Sequence, residues 1–274
     1  MAHITSTHPW CPSLDTTRPG VARVRDAALG GKDNYAIDRE LLAELEHAAP
    51  GFRDLVRAER AWHTRAVRYL AASGFDQFLD CGVGLPAPID NTHEIAQRHD
   101  PEARVVYADA DCIVVAHGRA LLQDNDRVLV VQTDYTYPEE LLPAAGALLD
   151  FSRPIAVLLT DTLHHVDDDA HPDKLMATYR DALAPGSAVA VSHWFDPEIG
   201  AGHDAARALE TAWQTRCPGS GRYRTRTEID ALLDGLQLLP PGLVALDNWW
   251  PDGPALTTPA PTRALGLAAI ATKP

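Results

Sequence analysis

Three aspartates each close a short apolar run in the first half of the chain: Asp80, Asp109 and Asp134. Asp80 leads straight into a glycine turn, in the string Phe78-Leu79-Asp80-Cys81-Gly82-Val83-Gly84. Glycines at such a turn let a ligand approach backbone that any Cβ would block, and a helix beginning after it offers free N–H groups. The pattern points to a nucleotide-type ligand. The third glycine of the dinucleotide fingerprint is missing, because Leu85-Pro86 follows Gly84, and this disfavours a diphosphate. A carboxylate at Asp80 would repel phosphate and suits a cationic amino group. Asp109 ends the next run, 25 residues after Gly84, where a carboxylate takes a ribose diol. Asp111 is its rival, although it better suits capping a helix that starts at Cys112. Asp134 follows at the end of a third run, placed to accept from an exocyclic amine such as that of adenine.

A fourth run, Leu158-Leu159-Thr160-Asp161-Thr162-Leu163-His164-His165-Val166, passes from a buried strand to a polar tip. Paired histidines invite a metal. Adjacent residues of an extended chain point to opposite faces, however, and no nearby cysteine completes a ligand set, so no metal is expected. One of the two histidines can serve as a general base or as a supporting residue. His164, Asp161 and Tyr35 are the candidates for a base or an acceptor-orienting group. Tyr35 closes the string Gly30-Gly31-Lys32-Asp33-Asn34-Tyr35. That string suits either a lid over a ligand or a helix–helix connection, with a glycine C-cap and with Asp33 or Asn34 capping the next helix. Arg53, Arg57, Arg60, Arg65 and Arg68 form the most basic stretch, which is either a site for an anionic substrate or a solvated face.

The elements that must carry these groups follow from periodicity. Helical windows at Val21 to Leu29, Ile37 to His47 and Phe52 to Ala72 come first, the last with an apolar stripe at three- and four-residue steps. Short β-rich runs at 75–81, 103–109, 127–134, 154–161 and 187–194 then alternate with helical windows, the signature of a mostly parallel sheet covered on both faces. Two further strands are expected at 242–249 and 263–273, joined by a Pro-rich loop from Pro251 to Pro261, which makes seven in all. The expected organisation is a flexible arm over 1–20, a helical cap over 21–72 and an α/β core over 73–274. Composition narrows the function. The 274 residues are 46% hydrophobic, enough for a sizeable core, yet no window reaches the ~18 uninterrupted apolar residues of a membrane span. A formal charge of −14 disfavours sequence-independent nucleic-acid binding. The four cysteines show no CxxC pair and the first residues no secretory pattern, so a reducing cytoplasm is expected.

Taken in order, the glycine turn after the first strand, the acids after the second and third, Leu163-His164-His165-Val166 after the fourth and Pro185-Gly186 before the fifth resemble the class I S-adenosylmethionine-dependent methyltransferases. More narrowly, the chain is similar to a bacterial methyltransferase family first catalogued as a domain of unknown function. The segments that carry this likeness are Val21-Ala22-Arg23-Val24-Arg25-Asp26, Leu29 to Tyr35, Arg65 to Leu70, Phe78-Leu79-Asp80, Gly84-Leu85-Pro86 and Val105-Val106-Tyr107, and it runs from about residue 19 to the C-terminus. The resemblance implies a Rossmann-like sheet of seven strands whose last strand is antiparallel. It implies S-adenosyl-L-methionine as cofactor, with Asp80, Gly82 and Gly84 at the methionine end, Asp109 on the ribose and Asp134 by the adenine. Cys81, Ala110, Tyr135, Thr160 and Asn34 are the further cofactor contacts expected on this basis. Cys81, Val83 and Ala110 depart from the family's usual residues. The reaction expected is metal-free methyl transfer to a small-molecule acceptor, since a sulfonium donor needs alignment and at most one base. The rivals are a non-catalytic cofactor-binding protein and a nicotinamide-dependent oxidoreductase.

Overall fold

A computed structural model describes residues 15–254 and 260–274. Most of the predicted arm, residues 1–14, and part of the predicted loop, residues 255–259, lie outside the described residues. Three helices open the described chain, α1 (Val21–Leu29), α2 (Ala36–Ala48) and α3 (Phe52–Ala72). A regular alternation follows: β1 (Gln77–Cys81), α4 (Thr92–His99), β2 (Arg104–Asp109), α5 (Cys112–Leu121), β3 (Val128–Gln132), α6 (Pro138–Ala145), β4 (Ala156–Leu159), α7 (Pro172–Ala182) and β5 (Ala188–Trp194). The chain closes with α8 (Gly200–Arg216), α9 (Arg226–Ala231), β6 (Gln237–Leu238), β7 (Val244–Ala245) and β8 (Gly266–Thr272).

All the strands join one sheet in the order β3-β2-β1-β4-β5-β8-β6, with β7 also pairing to β8. β1 to β5 are parallel, and β8 runs antiparallel to β5, β6 and β7. Because successive side chains of a strand point to opposite faces, the buried runs feed two separate cores. Phe78, Val105, Tyr107 and Leu158 pack on one face with Leu55, Trp62 and Leu70 of α3. Leu79, Val106, Val157 and Leu159 pack on the other with Met176 and Tyr179 of α7. β1 and β4 are neighbours whose onward connections run in opposite directions, to β2 and to β5, and this opens a crevice at their C-terminal ends.

Among the described residues the sheet has eight strands, which corrects the expected seven. β6 went unseen because two residues between Gly235 and Pro240-Pro241 are too few to show alternation. The expected strand over 242–249 shrinks to β7, and Leu246–Asn248 turns into a 3₁₀ helix. There Arg65 takes the carbonyls of Leu246 and Trp249, at 2.7 and 3.2 Å, which draws this backbone away from the sheet. The expected last strand loses its first residues to a 3₁₀ turn over Pro261–Leu265.

Candidate active site

Gly82 and Gly84 follow β1 with φ of 64° and 69°, the left-handed region that a side chain makes costly. A Cβ on Gly82 would stand 2.6 Å from Thr162 Cγ2 and 3.1 Å from Tyr135 Cε1. The turn is tied to the next strand, since the Gly84 N–H donates to Asp109 Oδ2 at 3.0 Å. Asp109 Oδ1 also accepts from the Asp111 N–H at 2.9 Å, while Asp111 caps α5 by accepting from the Ile113 N–H. Burial pushes the Asp109 carboxyl up to about 6. Asp134 is held by the N–H and hydroxyl of Thr136, at 2.8 and 2.7 Å on the same oxygen.

These groups line one cleft of about 1000 Å³, open mouth included, at the C-terminal ends of the strands. Gly82, Gly84, Asp109, Ala110, Asp134 and Tyr135 line the end formed by β1 to β3, Asp161, His165 and Ser220 the end beyond β4, and Thr162 stands between them against Gly82. A smaller polar pocket adjoins the cleft at Gly82, bordered by Asp80, His63, Thr92, Thr160 and two arginines, Arg25 and Arg60. Asp80 accepts from the Thr92 hydroxyl at 2.6 Å, and burial pushes its carboxyl up to about 6. His63 bridges the hydroxyls of Thr160 and Thr92, at 2.8 and 3.1 Å, so Asp80, Thr92, His63 and Thr160 form one buried chain of polar groups.

At the other end Asp161 sits just after β4 with φ of 60°, its N–H donating to the Ser192 hydroxyl at 2.8 Å. It forms an ion pair with Arg25 of α1 and lies 3.0 Å from His164 Nε2. Burial alone would raise the Asp161 carboxyl, but the Arg25 charge and the His164 contact outweigh it and hold it well below the usual carboxylate range. Glu59, buried on α3, accepts from the Trp194 indole N–H at 3.0 Å. Burial first, and then the Asp161 charge, raise its carboxyl well above the usual range.

The two histidines differ. His164 is fully buried and stacked on Trp194 at 3.8 Å between ring centroids. His165 borders the cleft, with Nδ1 held 2.6 Å from the Ser220 hydroxyl and its ring edge-on to Trp194 and Trp213. Burial, and next His164, push the His165 imidazole well below its ordinary value, so it is neutral near pH 7. The residues lie in a 3₁₀ turn, Leu163–His165, and not in an extended chain, so their rings are 4.4 Å apart. This corrects the expectation that they point oppositely. Among the described residues, Asp161, His164 and His165 form a group with metal-ligand spacing, their ligand-type atoms all within 4.8 Å.

Other expected residues stand elsewhere. Cys81 is fully buried on the face of the sheet that carries Leu79 and Tyr179. The string Gly30 to Tyr35 closes on Asp26, whose Oδ2 accepts from the Asp33 N–H at 2.9 Å and the Asn34 amide at 2.7 Å. Neither Asp33 nor Asn34 caps α2; Tyr35 takes the cap position, and its N–H donates to Asp38 at 2.8 Å. Arg25, Ser220 and Thr162 were not singled out as site residues, although Arg25 falls in one of the strings that carry the resemblance.

The profile of the S-adenosyl methyltransferase family matches residues 7–274. The chain belongs to that family. A candidate methyltransferase from Thermobifida fusca YX shares 39% identity over 96% of this chain and 97% of its own, with a TM-score of 0.88. A DUF574 family protein from Streptomyces avermitilis MA-4680 shares 33% over 95% and 99%, also with a TM-score of 0.88. The N-methyltransferase NodS from Bradyrhizobium japonicum WM9 in complex with S-adenosyl-L-homocysteine, at 15% identity, 93% and 98% coverage and a TM-score of 0.51, shares the fold alone. No curated protein matches the chain. As a family member the protein uses S-adenosyl-L-methionine, and the site suits that group: Gly82 leaves a cradle a Cβ would fill, and Asp80, Asp109 and Asp134 are among the carboxylates that border the cleft and its polar pocket. No helix among the described residues is long and apolar enough to cross a membrane.

Proposed function

We propose that the protein transfers a methyl group from S-adenosyl-L-methionine to a small-molecule acceptor in the cytoplasm, by alignment and without a metal. The observation that carries this reading is the row of Asp80, Asp109 and Asp134 about the Gly82 turn, which offers one carboxylate to each polar part of the cofactor. Asp109 receives the ribose hydroxyls, and Asp134 has an oxygen left for the adenine amine. Asp80 meets the α-ammonium, and Arg25, the charged side chain that borders both cleft and pocket, meets the α-carboxylate. The cofactor supplies an electrophilic methyl on a sulfonium.

The protein's own part is positioning, water exclusion and one proton. In this reading residues 21–72 act as a cap over a core of 73–274, with α1 bringing Arg25 to the cleft. His165 is the base: it borders the cleft as a neutral imidazole with Nδ1 engaged by Ser220. His164 and Glu59 hold Asp161 and Trp194 in place behind it. Arg25 already supplies the cation that Asp161 needs, which supports a site without metal. The acidic surface supports a small-molecule acceptor over a nucleic acid. A crystal soaked with S-adenosylhomocysteine tests the reading. The ribose is expected against Asp109 and the adenine by Asp134; density elsewhere, or none, contradicts it.

A further inference from the structure

A second cavity adjoins the cleft, and its chemistry is different. It lies between α1 and the segment after the glycine turn and encloses about 770 Å³, open mouth included. Leu29, Leu85, Pro86 and Ile89 give it apolar walls and Gly30 and Gly31 add no side chain, while Asp26, which also lines it, turns its carboxylate Oδ2 to the Asp33 N–H and the Asn34 amide. Ile89 is 70% exposed, an apolar residue left uncovered at this cavity.

Two guanidinium groups, Arg25 and Arg60, border both this cavity and the polar pocket that contains Asp80. They are not equivalent. Arg25 is neutralised by Asp161. Arg60 donates to the backbone carbonyls of Ile89 and Asp90, at 3.1 and 2.6 Å, and among the described residues it makes no ion pair. Burial, and then the Arg25 charge, lower its pKa to about 10. Carbonyl oxygens orient a guanidinium without cancelling its charge, and the carboxylates that act on Arg60, Asp80 in the polar pocket and Asp90, do so without an ion pair, so a cation with no direct partner stands where the apolar cavity meets the cofactor pocket. The basic stretch of α3 thus divides by position. Arg57 and Arg68 pair with Asp54 and Asp252 at the surface, whereas Arg60 turns inward.

We propose that this cavity is the acceptor site and that the acceptor is an apolar-bodied acid, a small aromatic or aliphatic carboxylate whose anionic group meets Arg60. The proposal rests on the methyltransferase reading above. An amine would add a cation beside Arg25 and Arg60, and a neutral alcohol would leave Arg60 uncompensated. A carboxylate fits a guanidinium in the bidentate manner while its apolar body covers Leu29, Leu85 and Ile89. Ala22 and Arg25 line this cavity and the cleft alike, so the reacting end of an acceptor held here extends past them into the cleft, where the donor and His165 stand.

The test is calorimetric titration of the full chain, first with S-adenosylhomocysteine and then, on that complex, with cinnamate, octanoate, octanamide and octylamine. At least one of the two acids is expected to bind, with octanamide about tenfold weaker than octanoate and octylamine weaker still. Ile89→Asp is expected to weaken the bound acid and Ile89→Lys to strengthen it, each about threefold at low salt, with the S-adenosylhomocysteine affinity unchanged. Arg60→Gln is expected to remove the preference of acid over amide. Failure of every probe on a well-formed S-adenosylhomocysteine complex overturns the acceptor assignment and leaves the methyltransferase reading standing. Equal binding of amide and acid, or no response to the Ile89 charge pair, overturns the role of Arg60. Absence of S-adenosylhomocysteine binding overturns both readings.

Discussion

At one end of the cleft, Gly82, Asp109 and Asp134 take their places from the strands they terminate, and their fixing contacts are to backbone or to residues two positions away. At the other end, Asp161 and His165 are held by partners from distant parts of the chain: Arg25 of α1, and Ser220 from the segment after α8. The first arrangement is generic to a ligand that always has the same ribose and base. The second is assembled from residues far apart in the chain, and it depends on charges and rings that must all be present together. Damage should therefore differ in kind: loss of affinity at the strand-tip end, loss of stability and turnover at the Asp161 end.

The largest effect is expected at the turn. Gly82→Val adds a Cβ at a left-handed position and a clash with Thr162, so S-adenosylhomocysteine affinity should fall on the order of 100-fold by calorimetry. A weaker loss than at Asp109→Asn would break the view that backbone approach defines this end. At the other end Asp161→Asn leaves Arg25 buried without its partner and should lower stability by about 3 kcal/mol in urea unfolding. Glu59→Gln, in contrast, should change stability by less than about 1 kcal/mol. Its carboxyl is raised well above the usual range, which favours the neutral acid, and the amide is a nearly isosteric replacement for that form. Similar losses in the two variants would contradict the assignment of the charge to Asp161.

The comparison also has a pH signature. Asp80 and Asp109 titrate near 6 in the folded protein, above the carboxylate value of the unfolded chain. The folded state therefore binds more protons between about 4 and 6. Their contribution to stability is fully present below about 4 and is lost as pH rises through about 6. A cationic ligand wants these groups ionised. Affinity for S-adenosylmethionine should thus rise by about tenfold from pH 5 to pH 7, while thermal stability of the free protein from these groups falls. The smallest expected effect is that of a chelator: cofactor affinity should be the same with and without EDTA, because Arg25 already occupies the Asp161 carboxylate.

The strand-tip end was legible in the sequence, because Asp80-Cys81-Gly82-Val83-Gly84, Asp109 and Asp134 are local patterns of turn and strand end. The parallel strands were legible for the same reason, since β1 to β5 each carry a short apolar run between helical windows. The other end was not. His165 and Ser220 meet across 55 residues, and Glu59 and Trp194 across 135, separations at which periodicity carries no information. The choice of His164 over His165 turned on a 3₁₀ turn whose sequence also suits an extended strand end. Arg60 looked like its surface neighbours because three residues along α3 decide between solvent and cavity.

Titration of the wild-type chain with S-adenosylhomocysteine, with NAD as competitor, tests the central claim most directly. The account predicts one site per chain, unaffected by NAD and weakened by Asp109→Asn. Binding of NAD with no response to S-adenosylhomocysteine would contradict it.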